Sequence, residues 1–388
     1  MPVSRIGPRL RQRLHDDRLI EALRHPHRLQ TTDVGEWPEL LAKARRTGLL
    51  AQIEKLASDV GASAVIPASA RRQLVDAKQF ARRNQTDIRF EVNRIARALA
   101  GLGIDIVLLK GAAYLLAGLP PAAARLSSDL DIMVEKQHLE SVEQTLLDKG
   151  WVRAEMSDYD DRYYRRWMHE LPPVWHPGRL FMIDIHHTIV PPTSRYSISA
   201  GRLFEDVVPL GEPRLSVLGR ADMVLHSGIH LFTEEFSAAL RQLYDLHLLL
   251  EESGARDAFW NRLTERADRL GLGRILFYLL RYPNAVFDTT VPAATKAAVS
   301  SHAPNAAILA MMDTLVISAI SDANTGTRFP SADFAQWCLY VRSHWLKMPP
   351  WQLFRHLSRK AWQNFVDGFG RPASVDTRHE PGQIENNP

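Results

Sequence analysis

The chain has 388 residues, of which 45% are hydrophobic and 24% charged, enough apolar material to fill two or three packed units of a globular protein. Its 48 basic against 44 acidic residues leave a net charge of +4, too small to mark nucleic-acid binding, and its single cysteine, Cys338, excludes an intrachain disulfide framework or a cysteine-rich zinc site. No run of about 18 uncharged apolar residues occurs, and MPVSRIGPRLRQRLHDDRL lacks the apolar stretch of a secretory signal, so a cytoplasmic protein with no membrane insertion is expected.

From about Leu10 to Leu102 apolar residues recur at helical spacing, with Pro67 marking a break, so residues 1–102 are expected to form an N-terminal helical region. The period then changes. IDIVLL (Ile104 to Leu109) is a continuous, β-branched strand pattern, AAYLLAGL a short helix, and LDIMV (Leu130 to Val134) a second strand. HLESVEQTLLDKG reads as a helix ending at Gly150, and strand signals return near Trp151 and in LFMIDIHHTIV (Leu180 to Val190), which Pro191 and Pro192 terminate. Residues 103–210 are thus expected to form a small α/β core. Helical periodicity resumes after Leu215, giving a C-terminal helical domain at 211–371, and the polar stretch 372–388 is expected to be a disordered tail. The fold class expected is α+β, a small mixed sheet flanked by two helical bundles.

The informative segment is LLKGAAYLLAGLPPAAARLSSDLDIMV, where a glycine follows the first strand and, eighteen residues later, two aspartates alternate on an apolar strand. Residues i and i+2 of a strand point the same way, about 6–7 Å apart along it. Two carboxylates aimed at one place repel each other unless a divalent cation lies between them, and oxygen ligands suit Mg²⁺ or Mn²⁺ better than zinc. Asp129 and Asp131 are therefore candidate metal ligands, with Asp184 of FMIDIHH the candidate third carboxylate from another strand. Gly111 would let the backbone approach phosphate, and the amides opening the next helix would offer an anion site.

Taken together, Lys110-Gly111-Ala112, Arg125, Ser128-Asp129-Leu130-Asp131 and Asp184 resemble the motifs of DNA polymerase β-like nucleotidyltransferases. More narrowly, KGxA followed by R-x-x-x-D-x-D, with LHSGIHLF and LRQLYDLHLLL further on, resembles the bacterial branch described as uncharacterised nucleotidyltransferases, over about residues 80–260. The resemblance implies transfer of NMP from an NTP to a hydroxyl of a small molecule, sugar, protein or RNA. It also implies Mg²⁺ (or Mn²⁺) on Asp129, Asp131 and Asp184, and nucleotide binding by Lys110, Gly111, Ala112, Arg125 and Ser128. Ala112 departs from the superfamily's usual Gly or Ser at that position. An inactive nucleotidyltransferase-fold protein, regulating or scaffolding a biosynthetic gene set, is the alternative.

Other residues carry weaker readings. His186 shares a strand face with Asp184 and could contact substrate, whereas Lys110 and Arg125 could bind phosphate or neutralise the carboxylates. His226 and His230, four apart, and Asp245 and His247 are expected in helix packing and buried polar networks. WLKMPPWQLFRHLSRKAWQNF is expected to dock amphipathically on the bundle. A nucleic-acid partner is possible but not indicated. Because converging carboxylates repel, Asp131→Asn is expected to abolish transfer while leaving the fold intact or slightly more stable.

Overall fold

The computed structural model describes residues 6–153, 156, 158–234, 236–321 and 330–348. The expected tail at 372–388 and the tryptophan-rich segment beyond Met348 lie outside them. The architecture is α+β: a seven-stranded mixed sheet enclosed by helices contributed from before and after it in the chain.

The strands are β1 (Ile106–Leu108), β2 (Asp129–Met133), β3 (Val152–Arg153), β4 (Val174–Trp175), β5 (Met182–His186), β6 (Val207–Pro209) and β7 (Leu215–Leu218), in the spatial order β3-β4-β5-β2-β1-β7-β6. The two central strands, β1 and β2, are antiparallel; β2 runs parallel to β5, and β1 parallel to β7. The short strands β3, β4 and β6 close the sides in antiparallel pairings. Every residue of β1 and β7 is buried, which explains the unbroken apolar run of β1 and the apolar run of β7 interrupted only by Ser216: this part of the sheet is covered on both faces. β7 lies past residue 210, so the sheet draws on a segment beyond the limit expected for the α/β core.

Helix Ala68–Leu99 is the longest element, and Pro67 immediately precedes it. Its buried residues Leu74, Ala81, Ile88, Val92, Ile95 and Leu99 form one stripe at helical spacing. Asn84 and Gln85 hydrogen-bond the loop that leads into β2, through Ser127 and through Ala122 and Ala123. The outer face carries exposed Arg71, Arg72, Arg82, Arg94 and Arg97, a basic row that the near-neutral total charge conceals.

One hydrophobic cluster runs from Ile6 to Leu339 and includes the sheet. The first helices dock at the C-terminal end of helix Ala306–Ile320: Arg13 donates to the Ser321 carbonyl (3.0 Å), and Lys43 pairs with Asp17 and donates to the Ile320 carbonyl (3.1 Å). Within the C-terminal helices, Arg281 forms two bonds to Asp313 (2.8 and 2.6 Å), and Arg266 pairs with Asp222 in the interior. Among the described residues no single helix is long and apolar enough to cross a membrane.

Candidate active site

The site is assembled where β1 ends. Leu109 donates its amide to the Asp131 carbonyl (3.0 Å), after which Lys110 adopts a left-handed conformation, φ +46°, uncommon for a residue with a side chain. The Lys110 ammonium lies 2.7 Å from Asp131 Oδ1. Gly111 opens the buried part of the short helix Lys110–Leu116, and a Cβ there would lie 2.1 Å from Ser127 Oγ and 3.1 Å from Arg125 Nε. A side chain here would therefore force Ser127 or Arg125 to shift, and the glycine suits the close approach of the loop before β2. Ala112 is buried with its side chain in the core, so a hydroxyl at this position would be buried there too.

Asp129 and Asp131 project from one face of β2, and Asp131 is paired in register with Asp184 on parallel β5. His186 follows two residues after Asp184, on the same face, opposite Met133. Ligand atoms of Asp131, Asp184 and His186 all lie within 4.8 Å of one another, so these three could hold a cation. Asp129 stands one pleat away, half-buried, with the Ser128 hydroxyl 3.5 Å from its Oδ1.

The charges are unequally compensated. Burial alone would push the Asp131 carboxyl up, but the Lys110 ammonium and the hydrogen bond from His186 hold it well below the usual carboxylate range. Asp184 has no hydrogen-bonded cation among the described residues; burial, then the charges of Asp131 and Glu170, push its carboxyl up to about 7 against the smaller pull of His186 and Lys110. His186 is buried, with Nε2 2.9 Å from Asp131 Oδ1 and Nδ1 3.3 Å from Glu170 Oε2, so its ring lies between carboxylates with no open edge for substrate. Burial opposes its protonation, but the bond to Asp131 and the charge of Glu170 raise its pKa.

Arg125 pairs with Asp245 of helix Ala239–Gly254, which Arg241 also approaches at 3.7 Å. The carboxylate that Arg125 meets is Asp245, which lies outside the Asp129, Asp131 and Asp184 group. Asp245 thus belongs to a buried polar network, and His247 Nδ1 meets the Thr289 hydroxyl at 2.8 Å. His226 and His230 of helix Arg220–Thr233 pack edge to face, ring centroids 6.5 Å apart. Burial first, then the nearby Lys110 and His186, bring His226 down to about 3, so this helix presents a neutral imidazole toward the charged cluster.

Glu170, His169, Ser127 and Asn84 were not among the residues singled out by sequence. Glu170 and His169 lie in WMHELPP, where a His-Glu pair between aromatic and proline residues was the available signal.

A family model described as uncharacterised nucleotidyltransferase matches residues 33–288, which include the sheet, the long helix and the helices bearing His226 and Asp245. No curated protein and no solved structure matches the chain. With two thirds of its length matched, the chain belongs to the uncharacterised nucleotidyltransferase family.

Proposed function

We propose that the protein transfers NMP from an NTP to an acceptor hydroxyl, with Asp129, Asp131 and Asp184 holding Mg²⁺ or Mn²⁺ as in polymerase β-like enzymes. The observation that carries this reading is the register of β2 against β5, which sets Asp131 beside Asp184 on one face in a chain of a nucleotidyltransferase family. The oxygen donors fit such a cation, because burial and the charges of Asp131 and Glu170 push the Asp184 carboxyl up to about 7, and a divalent ion would offset that repulsion. When bound, the ion would neutralise charge developing on the triphosphate.

The protein's own groups divide the remaining work. Asp184 accepts the acceptor hydroxyl's proton as its oxygen attacks the α-phosphorus, and the bond from that phosphorus to the β-bridging oxygen breaks, releasing pyrophosphate with the electron pair. Lys110 and His186 fix the Asp131 carboxylate in place. Arg125, paired with Asp245, ties the β2 approach to the C-terminal helices. The exposed arginines of Ala68–Leu99 keep polyanionic acceptors, RNA among them, within the class to be tested.

To test this, purified protein is incubated with Mg²⁺, each α-labelled NTP and a cell lysate, and the label is followed into protein, RNA or small molecules. Labelled product that disappears in the Asp131→Asn and Asp184→Asn variants is expected. A protein that binds NTP and transfers no label under any condition would instead be the inactive, regulatory form.

A further inference from the structure

Beside the carboxylates lies a second group of metal-ligating side chains with different chemistry. Residues 169–171 are zipped onto the end of β5: His187 donates its amide to the His169 carbonyl (2.9 Å), and Leu171 to the Ile185 carbonyl (2.9 Å). This backbone pairing sets His169 and Glu170 against His186. Glu170 Oε2 lies 3.3 Å from His186 Nδ1 and 3.7 Å from His169 Nε2, and ligand atoms of the three residues fall within 4.8 Å of one another.

The donor states decide what this group wants. A carboxylate only accepts, so the 2.9 Å contact with Asp131 makes His186 Nε2 the donor. His186 Nδ1 is then a buried nitrogen with no hydrogen-bond partner, in a residue 1% exposed, facing the Glu170 oxygen. His169 Nδ1 is also buried without a hydrogen bond, but it is Nε2 of that ring that faces Glu170. Glu170 Oε2 thus lies within reach of a ring nitrogen of each histidine. A proton shared by Glu170 and His186 would leave the imidazole of His169 unused, whereas a metal uses all three. Ligands about 2.0–2.2 Å from a tetrahedral ion stand roughly 3.4 Å from each other, close to the separations seen. A ligating histidine whose other nitrogen donates to a carboxylate is the usual supporting arrangement for such a site, and here Asp131 supplies that carboxylate.

We propose that His169, Glu170 and His186 Nδ1 form a second cation site, one that takes a zinc-class divalent ion with a fourth position open to another ligand. Two imidazoles and one carboxylate favour that class over Mg²⁺. The inference stands apart from the transfer reaction and joins it only through His186, which spans from this site to Asp131.

The experiment uses full-length protein stripped with EDTA and given one equivalent of Zn²⁺ in excess Mg²⁺. Zinc is expected to stay bound, and X-ray absorption at the zinc edge to show two imidazoles in its shell. His169→Ala and Glu170→Gln should each weaken zinc binding at least a hundredfold, while Asp184→Asn leaves it unchanged. A shell with one imidazole or none, displacement by Mg²⁺, or loss of zinc in Asp184→Asn but not in His169→Ala would overturn the proposal. Should His169→Ala fail to fold, the absorption spectrum of the wild type decides alone. Label transfer by the zinc-free protein in Mg²⁺ reads the nucleotidyltransferase proposal separately.

Discussion

Asp131 and Asp184 sit side by side, yet their removal from the metal-free protein should have opposite effects on stability. Asp184 ordinarily titrates near 3.8 and is pushed up to about 7 in the folded protein. At 1.36 kcal/mol per pH unit this interval is worth about 4 kcal/mol against the fold above pH 7, and water reaching a half-buried carboxyl reduces it by half, to about 2 kcal/mol. The sign follows from proton counts. Between 3.8 and 7 the native state binds more protons than the unfolded one, so stability is greatest below 3.8 and falls as pH rises through 7. Asp184→Asn has no charge to lose and should be more stable than wild type by about 2 kcal/mol at pH 8, with the gap closing toward pH 5. Asp131→Asn does the reverse, because it strands the Lys110 ammonium and breaks the His186 bond; losing one partner of a buried pair costs about 3–5 kcal/mol. This corrects the expectation that Asp131→Asn is neutral or stabilising: repulsion is real at this site, but it is Asp184 that bears it. Denaturant unfolding in EDTA at pH 5 and pH 8 for the three proteins is the assay. An Asp184→Asn variant no more stable than wild type at pH 8, or an Asp131→Asn variant more stable, would refute the reasoning.

Gly111→Ala should cost about 1–3 kcal/mol, because its methyl would overlap the Ser127 hydroxyl; thermal melting checks this, and Ser127→Gly in the same chain should recover part of the loss. Arg125→Ala should destabilise by about 3 kcal/mol by leaving Asp245 with only the more distant Arg241, and the double variant with Asp245→Ala should fall short of the sum of the single losses in a denaturant-based cycle. NTP and Mg²⁺ added together should raise the melting temperature more than either alone, since nucleotide phosphates would complete the ion's shell; equal stabilisation by NTP in EDTA would argue against a metal-bridged nucleotide.

The parts of the molecule legible in the sequence are those governed by local pattern. The strand runs around Ile106 and Leu130, the helix stopped by Gly150 and the long stripe after Pro67 all lie where periodicity and punctuation placed them. Alternation on one strand was enough to set Asp129 and Asp131 on a common face. What the sequence could not display was pairing across distance. Nothing local says that β5 lies parallel to β2, that Arg125 answers Asp245 over 120 residues, or that Glu170 backs His186. The basic row on Ala68–Leu99 was hidden for another reason, since net charge averages over a surface that the helix sorts by face.

The pairing of distant segments has a consequence for how the chain reaches this state. Strand β1 is complete once residue 108 leaves the ribosome, but its parallel neighbour β7 is made only at residues 215–218, and the helices bearing Arg13 and Lys43 find their acceptors at Ile320 and Ser321. The earliest-made helices can pack on one another and on Ala68–Leu99 but wait through most of synthesis for these C-terminal partners, and β1 keeps one edge unpaired until more than half the chain exists. Contacts of such separation close slowly and expose nascent chains to aggregation. Slower translation should do little for this protein, whereas a chaperone that shields the first hundred residues should raise its yield.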